Sequence, residues 1–148
     1  VEFENNSISV KRMEDLEKSA LPKEKQDIVI LIISSNDLLR LTDLNKFELS
    51  TQRVLKRFSQ LTNKLVIVGP GNLADAKALP IFIRWFYSFK SKDYQRILSQ
   101  ESQKYPNVTY VKVGQVKSEE YGDILAEDKF HPNDEGNKFW FDTIKPAL

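Results

Sequence analysis

His131 is the only histidine in the 148 residues, and a carboxylate precedes it by three positions in Asp128-Lys129-Phe130-His131-Pro132-Asn133. An imidazole works as a general base when an acceptor holds one ring nitrogen, fixing the tautomer and leaving the other nitrogen to take a proton. A tight turn from Asp128 to His131 supplies that acceptor without help from distant parts of the chain. Asn36 is the second group of interest. It lies in Ser34-Ser35-Asn36-Asp37, directly after the most hydrophobic run, where a side-chain amide can donate to a developing oxyanion. These residue types point to acyl-transfer chemistry. The plainer structural reading makes Asp128 and Asn36 turn and cap residues and His131 a solvated loop side chain.

Composition narrows the field. With no cysteine, disulfides, thiolate metal sites and a cysteine nucleophile are excluded, and one histidine excludes a His-rich metal centre. The acyl-transfer chemistry suggested above needs no metal and no organic cofactor. The formal charge of +1, with basic and acidic residues interspersed, gives no nucleic-acid footprint and no membrane-surface patch. No apolar run is long enough to span a bilayer, and the opening residues show no signal-peptide pattern. Lack of cysteine suits a cytosolic and an exported bacterial protein equally, so compartment and oligomeric state stay open.

The elements that must position these groups read as α/β. Val1-Glu2-Phe3-Glu4 resembles the middle of a strand, which suggests that residues precede it in the natural protein. Met13, Leu16 and Ala20 have helical spacing, stopped by Pro22. Ile28 to Ile33 is apolar at every position, as a strand buried on both faces inside a parallel sheet would be. Phe47, Thr51, Val54, Leu55, Phe58 and Leu61 mark one helix face. Leu65 to Val68 is a second buried strand, broken at Gly69-Pro70-Gly71, and Val108 to Val113 is a third, nearer an edge. Between them Tyr94, Ile97 and Leu98 suggest a helix. A last helix starts at Asn133 as N-cap and buries Phe139, Trp140 and Ile144. We expect a single domain over residues 1–148, a three-layer sandwich with a mainly parallel sheet. Ligands of such sheets sit beyond the carboxyl ends of the strands, the edge onto which the loops of Ser7 and Ser9, Asn36 and His131 would open.

These segments resemble the SGNH hydrolases, the GDSL-type esterases and lipases, whose sheet is flavodoxin-like. Val29 to Leu38, a strand followed by S-S-N-D, is similar to their third block, G-x-N-D. Asp128-Lys129-Phe130-His131-Pro132-Asn133 with Gly136 is similar to their fifth, D-x-x-H-P followed by a helix. Asn5 to Ser9 resembles the approach to the second block, and Leu65 to Pro70 lies where the family has its fourth strand. The resemblance implies that His131 is the general base, that Asp128 orients it, and that Asn36 and the backbone N–H of Val10 donate to the oxyanion. The implied substrate is a small-molecule carboxylic ester.

Three departures accompany it. The G-D-S block that carries the family's nucleophilic serine occurs nowhere in the sequence; Val10 falls near the place of the second-block glycine; and Ser34 stands for the glycine of G-x-N-D. Ser7, Ser9, Ser34 and Ser35 lack the strand-to-helix setting that exposes a nucleophile, so the nucleophile is unknown from these residues. In the related fold the serine-bearing first strand lies between the strands matched here by Val1–Glu4 and Ile28–Ile33. We therefore expect an additional N-terminal strand-turn-helix, and little esterase activity from the 148 residues without it. The alternative is an esterase-like domain that binds a ligand or protein partner without catalysis. The aromatic stretch from Ile81 to Phe89 is expected to pack on the core or on another subunit, or else to line an acyl pocket.

Overall fold

The computed structural model describes residues 2, 4–6, 11–20, 24–71, 73, 76–114 and 122–148. In chain order the elements are α1 (Met13–Leu16), β1 (Gln26–Ile32), α2 (Ser35–Leu39), α3 (Leu44–Ser59), β2 (Thr62–Val68), α4 (Ile81–Ser102), β3 (Val108–Val111) and α5 (Asp134–Ile144), with a 3-10 turn over Lys145–Ala147. The three strands pair in parallel in the order β1-β2-β3, with Ile28 opposite Lys64 and Leu65 opposite Val108. Parallel pairing places every strand's carboxyl end on the same edge.

Because side chains alternate across a sheet, β1 to β3 feed two separate cores. Val29, Leu31, Leu65, Ile67, Val108 and Tyr110 face α3 and α4, where Phe47, Val54, Leu55, Phe58, Tyr94, Ile97 and Leu98 complete the larger core. On the other face Val66, Val68 and Val111 meet Phe139, Trp140 and Ile144 of α5. The layers are helix, sheet, helix, the α/β flavodoxin-like arrangement expected from the sequence. Asp43 caps α3 by accepting from the Lys46 N–H at 3.0 Å, and Lys56 and Arg57 occupy its last turn, where cations favour the dipole. The Arg57 guanidinium donates to the carbonyls of Leu16, Glu17 and Ser19, tying α3 to the end of α1.

Three expectations change. The run Ile28–Ile33 reads as an interior strand, yet β1 pairs only with β2 among the described residues. Ile28, Ile30 and Ile32, on the α5 face, remain exposed, Ile32 at 63%. Glu2 and Glu4 are exposed and belong to no strand, while Val1 and Phe3 lie outside the described residues. The aromatic stretch and the helix through Tyr94 form one 22-residue helix, α4. Its N-terminal rings face outward instead of entering the core. Its buried stripe runs through Ser91, Tyr94, Gln95, Leu98 and Glu101, and the rings at 82, 85, 86 and 89 fall on the opposite side. Among the described residues no helix is long and apolar enough to cross a membrane.

Candidate active site

The loop before α5 is built to hold Asp128 against His131. Lys129 adopts φ +58°, a left-handed turn that folds the chain back, and its N–H donates to the Ala126 carbonyl at 2.9 Å. Asp128 then acts with both oxygens. Oδ1 accepts from the backbone N–H groups of Phe130 and His131, each at 2.9 Å, and Oδ2 lies 2.6 Å from His131 Nδ1. The ring of Phe130 packs edge-on to the imidazole, with centroids 5.2 Å apart.

These donors hold the Asp128 carboxyl at about 2, below the usual value. The largest cause is the bond from the His131 ring, followed by the backbone N–H groups of His131 and Phe130. An ionised Asp128 bound to Nδ1 fixes a proton there, leaving Nε2 without a partner among the described residues. Nε2 is thus the nitrogen available for proton transfer, and at 73% side-chain exposure the ring is open to a ligand.

Asn133 and Gly136 anchor this loop to α5. The Asn133 side chain accepts from the Gly136 N–H at 3.0 Å as N-cap, and its amide donates to the carbonyls of Asp123 (2.8 Å) and Leu125 (3.1 Å). On the other side, the Ala78 N–H donates to the Lys129 carbonyl at 3.0 Å and Lys77 Nζ lies 3.3 Å from Asp123 Oδ1. The segment after β2 is thereby joined to the histidine loop. The Asp123 carboxyl is correspondingly lowered, first by Lys77 and then by the Leu125 N–H. Sequence reading singled out Asn133 as a cap but missed Lys129 and Gly136 as positioning residues. The N-x-x-G spacing was the available signal.

Asn36 sits in the first turn of α2, past the carboxyl end of β1, on the sheet edge that the loops after β2 also occupy. Its Nδ2 donates one hydrogen to the Lys11 carbonyl at 3.0 Å, which orients the amide and leaves its second hydrogen unassigned. No hydrogen bond joins Asn36 to His131 among the described residues. Asp37 is buried and accepts the Met13 N–H at 2.9 Å, pinning α1 to α2; burial raises its carboxyl pKa, opposed by that bond. Ser34 takes φ +82°, the left-handed region where glycine is at ease, and its buried hydroxyl has no hydrogen-bond partner among the described residues. That conformation explains why a glycine suits the position. Val10, Ser7 and Ser9 lie outside the described residues.

Among the described residues no cluster of histidine and carboxylate groups could hold a metal ion. A shallow depression lined by Leu41, Thr42, Asp43, Leu44, Lys90 and Tyr94 includes none of these site residues.

Comparison with curated proteins gives no match. The family model for the GDSL-like lipase/acylhydrolase family matches residues 4–139, a span that takes in Asn36, Asp128 and His131 and nearly the whole fold. The chain belongs to the GDSL-like lipase/acylhydrolase family.

Proposed function

We propose that this domain hydrolyses carboxylic esters through an acyl-enzyme, with His131 as general base and Asp128 as its orienting carboxylate. The observation that carries the reading is the 2.6 Å contact between Asp128 Oδ2 and His131 Nδ1 in a loop that also fixes the backbone on either side. In the first half-reaction Nε2 takes the proton of a serine hydroxyl as its oxygen attacks the ester carbonyl. The free hydrogen of Asn36 Nδ2 donates to the oxyanion, and Nε2 then returns the proton to the departing alcohol. Water repeats the sequence on the acyl-enzyme. Asp128 stays ionised throughout, in keeping with a carboxyl held at about 2. The substrate is a small-molecule ester, and no metal or cofactor takes part.

The serine comes, in this proposal, from a strand-turn-helix unit outside these 148 residues. Its place is the outer edge of β1. That edge has no partner strand among the described residues, and Ile28, Ile30 and Ile32 leave the adjoining face uncovered. Covering what remains exposed of each isoleucine is worth about 1 kcal/mol, and pairing the edge satisfies its backbone groups. A strand added there would end beside Asn36, on the edge that carries the histidine loop.

The test is turnover of a small aryl ester by the complete protein and its His131→Ala variant. Loss of about 10⁴-fold with unchanged folding supports the base role, and undiminished turnover refutes it. One observation favours the non-catalytic alternative: Ser34 holds a strained left-handed φ of +82° in the turn that leads to Asn36. Stoichiometric labelling of one serine by a fluorophosphonate would eliminate that alternative.

A further inference from the structure

The first three turns of α4 present an apolar stripe on which no other element packs among the described residues. Ile81, Phe82, Trp85, Phe86 and Phe89 recur at the spacing of one helix face, and Trp85, Ile81 and Phe82 are 77%, 74% and 68% exposed. Behind them the Tyr87 hydroxyl donates to the Leu39 carbonyl at 3.0 Å and that of Tyr94 to the Thr42 carbonyl at 2.6 Å, so the helix is fixed with its rings outward. Contiguous exposed aromatics of this kind mark an interaction surface.

The charges around the stripe indicate what covers it. Residues 76–96 contain Lys77, Arg84, Lys90, Lys92 and Arg96 against one carboxylate, Asp93, and Lys77 pairs with Asp123, so cations still outnumber anions here although the chain as a whole carries only +1. The ammonium groups of Lys90 and Lys92 stand over the rings of Phe86 and Phe89, 5.9 and 5.8 Å from their centroids. Exposed Arg96 continues the same stripe one turn further on. A second copy of this face would bring like charges together, which disfavours self-association. The rings point away from the body of the domain and enclose no acyl pocket among the described residues. Aromatic side chains bordered by cations are suited instead to the boundary of a bilayer, where rings sit at headgroup level and lysine and arginine meet anionic headgroups.

We propose that this face of α4 docks the domain on an anionic lipid surface, with Phe82, Trp85 and Phe89 seated at the headgroup boundary and Lys90, Lys92 and Arg96 against the lipid phosphates. The segment leading into α4 is bonded to the histidine loop through Ala78 and Lys129, so docking would bring the bilayer beside the sheet edge that holds His131.

The experiment is co-sedimentation of the intact chain with vesicles of phosphatidylcholine alone and of phosphatidylcholine with phosphatidylglycerol. Binding is expected to the anionic vesicles, to weaken with added salt, and to fall about tenfold for each of Phe82→Ser, Trp85→Ser and Phe89→Ser. Lys90→Glu with Lys92→Glu should abolish the preference for anionic lipid. Phe82, Trp85, Phe89 and Lys92 are exposed and Lys90 is half-buried, so thermal midpoints close to the parent's are expected and separate docking from folding. His131→Ala should bind as the parent does, which keeps this result independent of the hydrolase reading. Absence of binding to anionic vesicles, or equal binding by the Trp85→Ser variant, overturns the proposal. So does a dimer that Trp85→Ser dissolves and that ignores lipid.

Discussion

Gly136 passes so close to Ile124 that a methyl group on its Cα would overlap the Ile124 carbonyl oxygen and stand 2.7 Å from Cβ of Pro132. The start of α5 and the strand-like arm before Asp128 are therefore in backbone contact, and this packing sets where His131 emerges. Gly136→Ala should cost about 1–3 kcal/mol in thermal or denaturant unfolding, since neither backbone carbonyl nor proline can yield easily. If the variant unfolds at the parent midpoint, the close approach is not a constraint.

The Asp128 carboxyl should titrate near 2 rather than at its ordinary 3.8 when followed by NMR. Its folded-state pKa is depressed, so its stabilising contribution is present above the unfolded value and lost as pH falls from about 4 toward 2. The imidazole is the largest cause of the shift, so His131→Ala should move the midpoint back toward 3.8. An unmoved midpoint would assign the effect to the backbone N–H groups alone.

Asp128→Asn separates geometry from charge. The amide oxygen can still accept from the Phe130 and His131 N–H groups, so the turn should persist, yet the imidazole loses its anionic partner at Nδ1. In the complete protein this substitution should cut ester turnover by about 10⁴-fold, while stability falls only by the contribution that low pH also removes. Retained turnover in that variant would remove Asp128 from the mechanism.

Ser34→Gly should stabilise the fold by about 1 kcal/mol by relieving the left-handed strain at φ +82°, less the added freedom of the unfolded chain. Ser34→Ala removes the unpartnered hydroxyl but keeps the strain, so it should gain less. Equal unfolding midpoints for the two variants would locate the cost in the hydroxyl.

Ile30→Lys and Ile32→Lys probe the open face beside β1. In the 148-residue chain each should change stability by less than about 0.5 kcal/mol, as at an ordinary surface position. In a protein whose serine-bearing unit covers that face, each should cost about 2 kcal/mol or more, measured by denaturant unfolding. Equal small effects in both would mean that the unit packs elsewhere.

The sequence by itself carried the alternation of strands and helices. Its apolar runs at 28–33 and 65–68 have strand length, and Phe47 to Phe58 repeats at helical spacing; these are local patterns. It also carried the Asp128–His131 pair, because three residues and one tight turn bring the groups together whatever the rest of the fold does. Tertiary structure alone decided what each apolar face meets. Period and composition are the same for a ring that enters a core and a ring that faces water, so α4 could read as packing while Trp85 lies outside. The uniform apolarity of Ile28–Ile33 likewise stated that both faces want cover, whereas only three-dimensional pairing shows the side of β1 that still lacks it. The positive φ of Ser34 and the close approach at Gly136 depend on chain segments meeting from a distance, which no single stretch of sequence records.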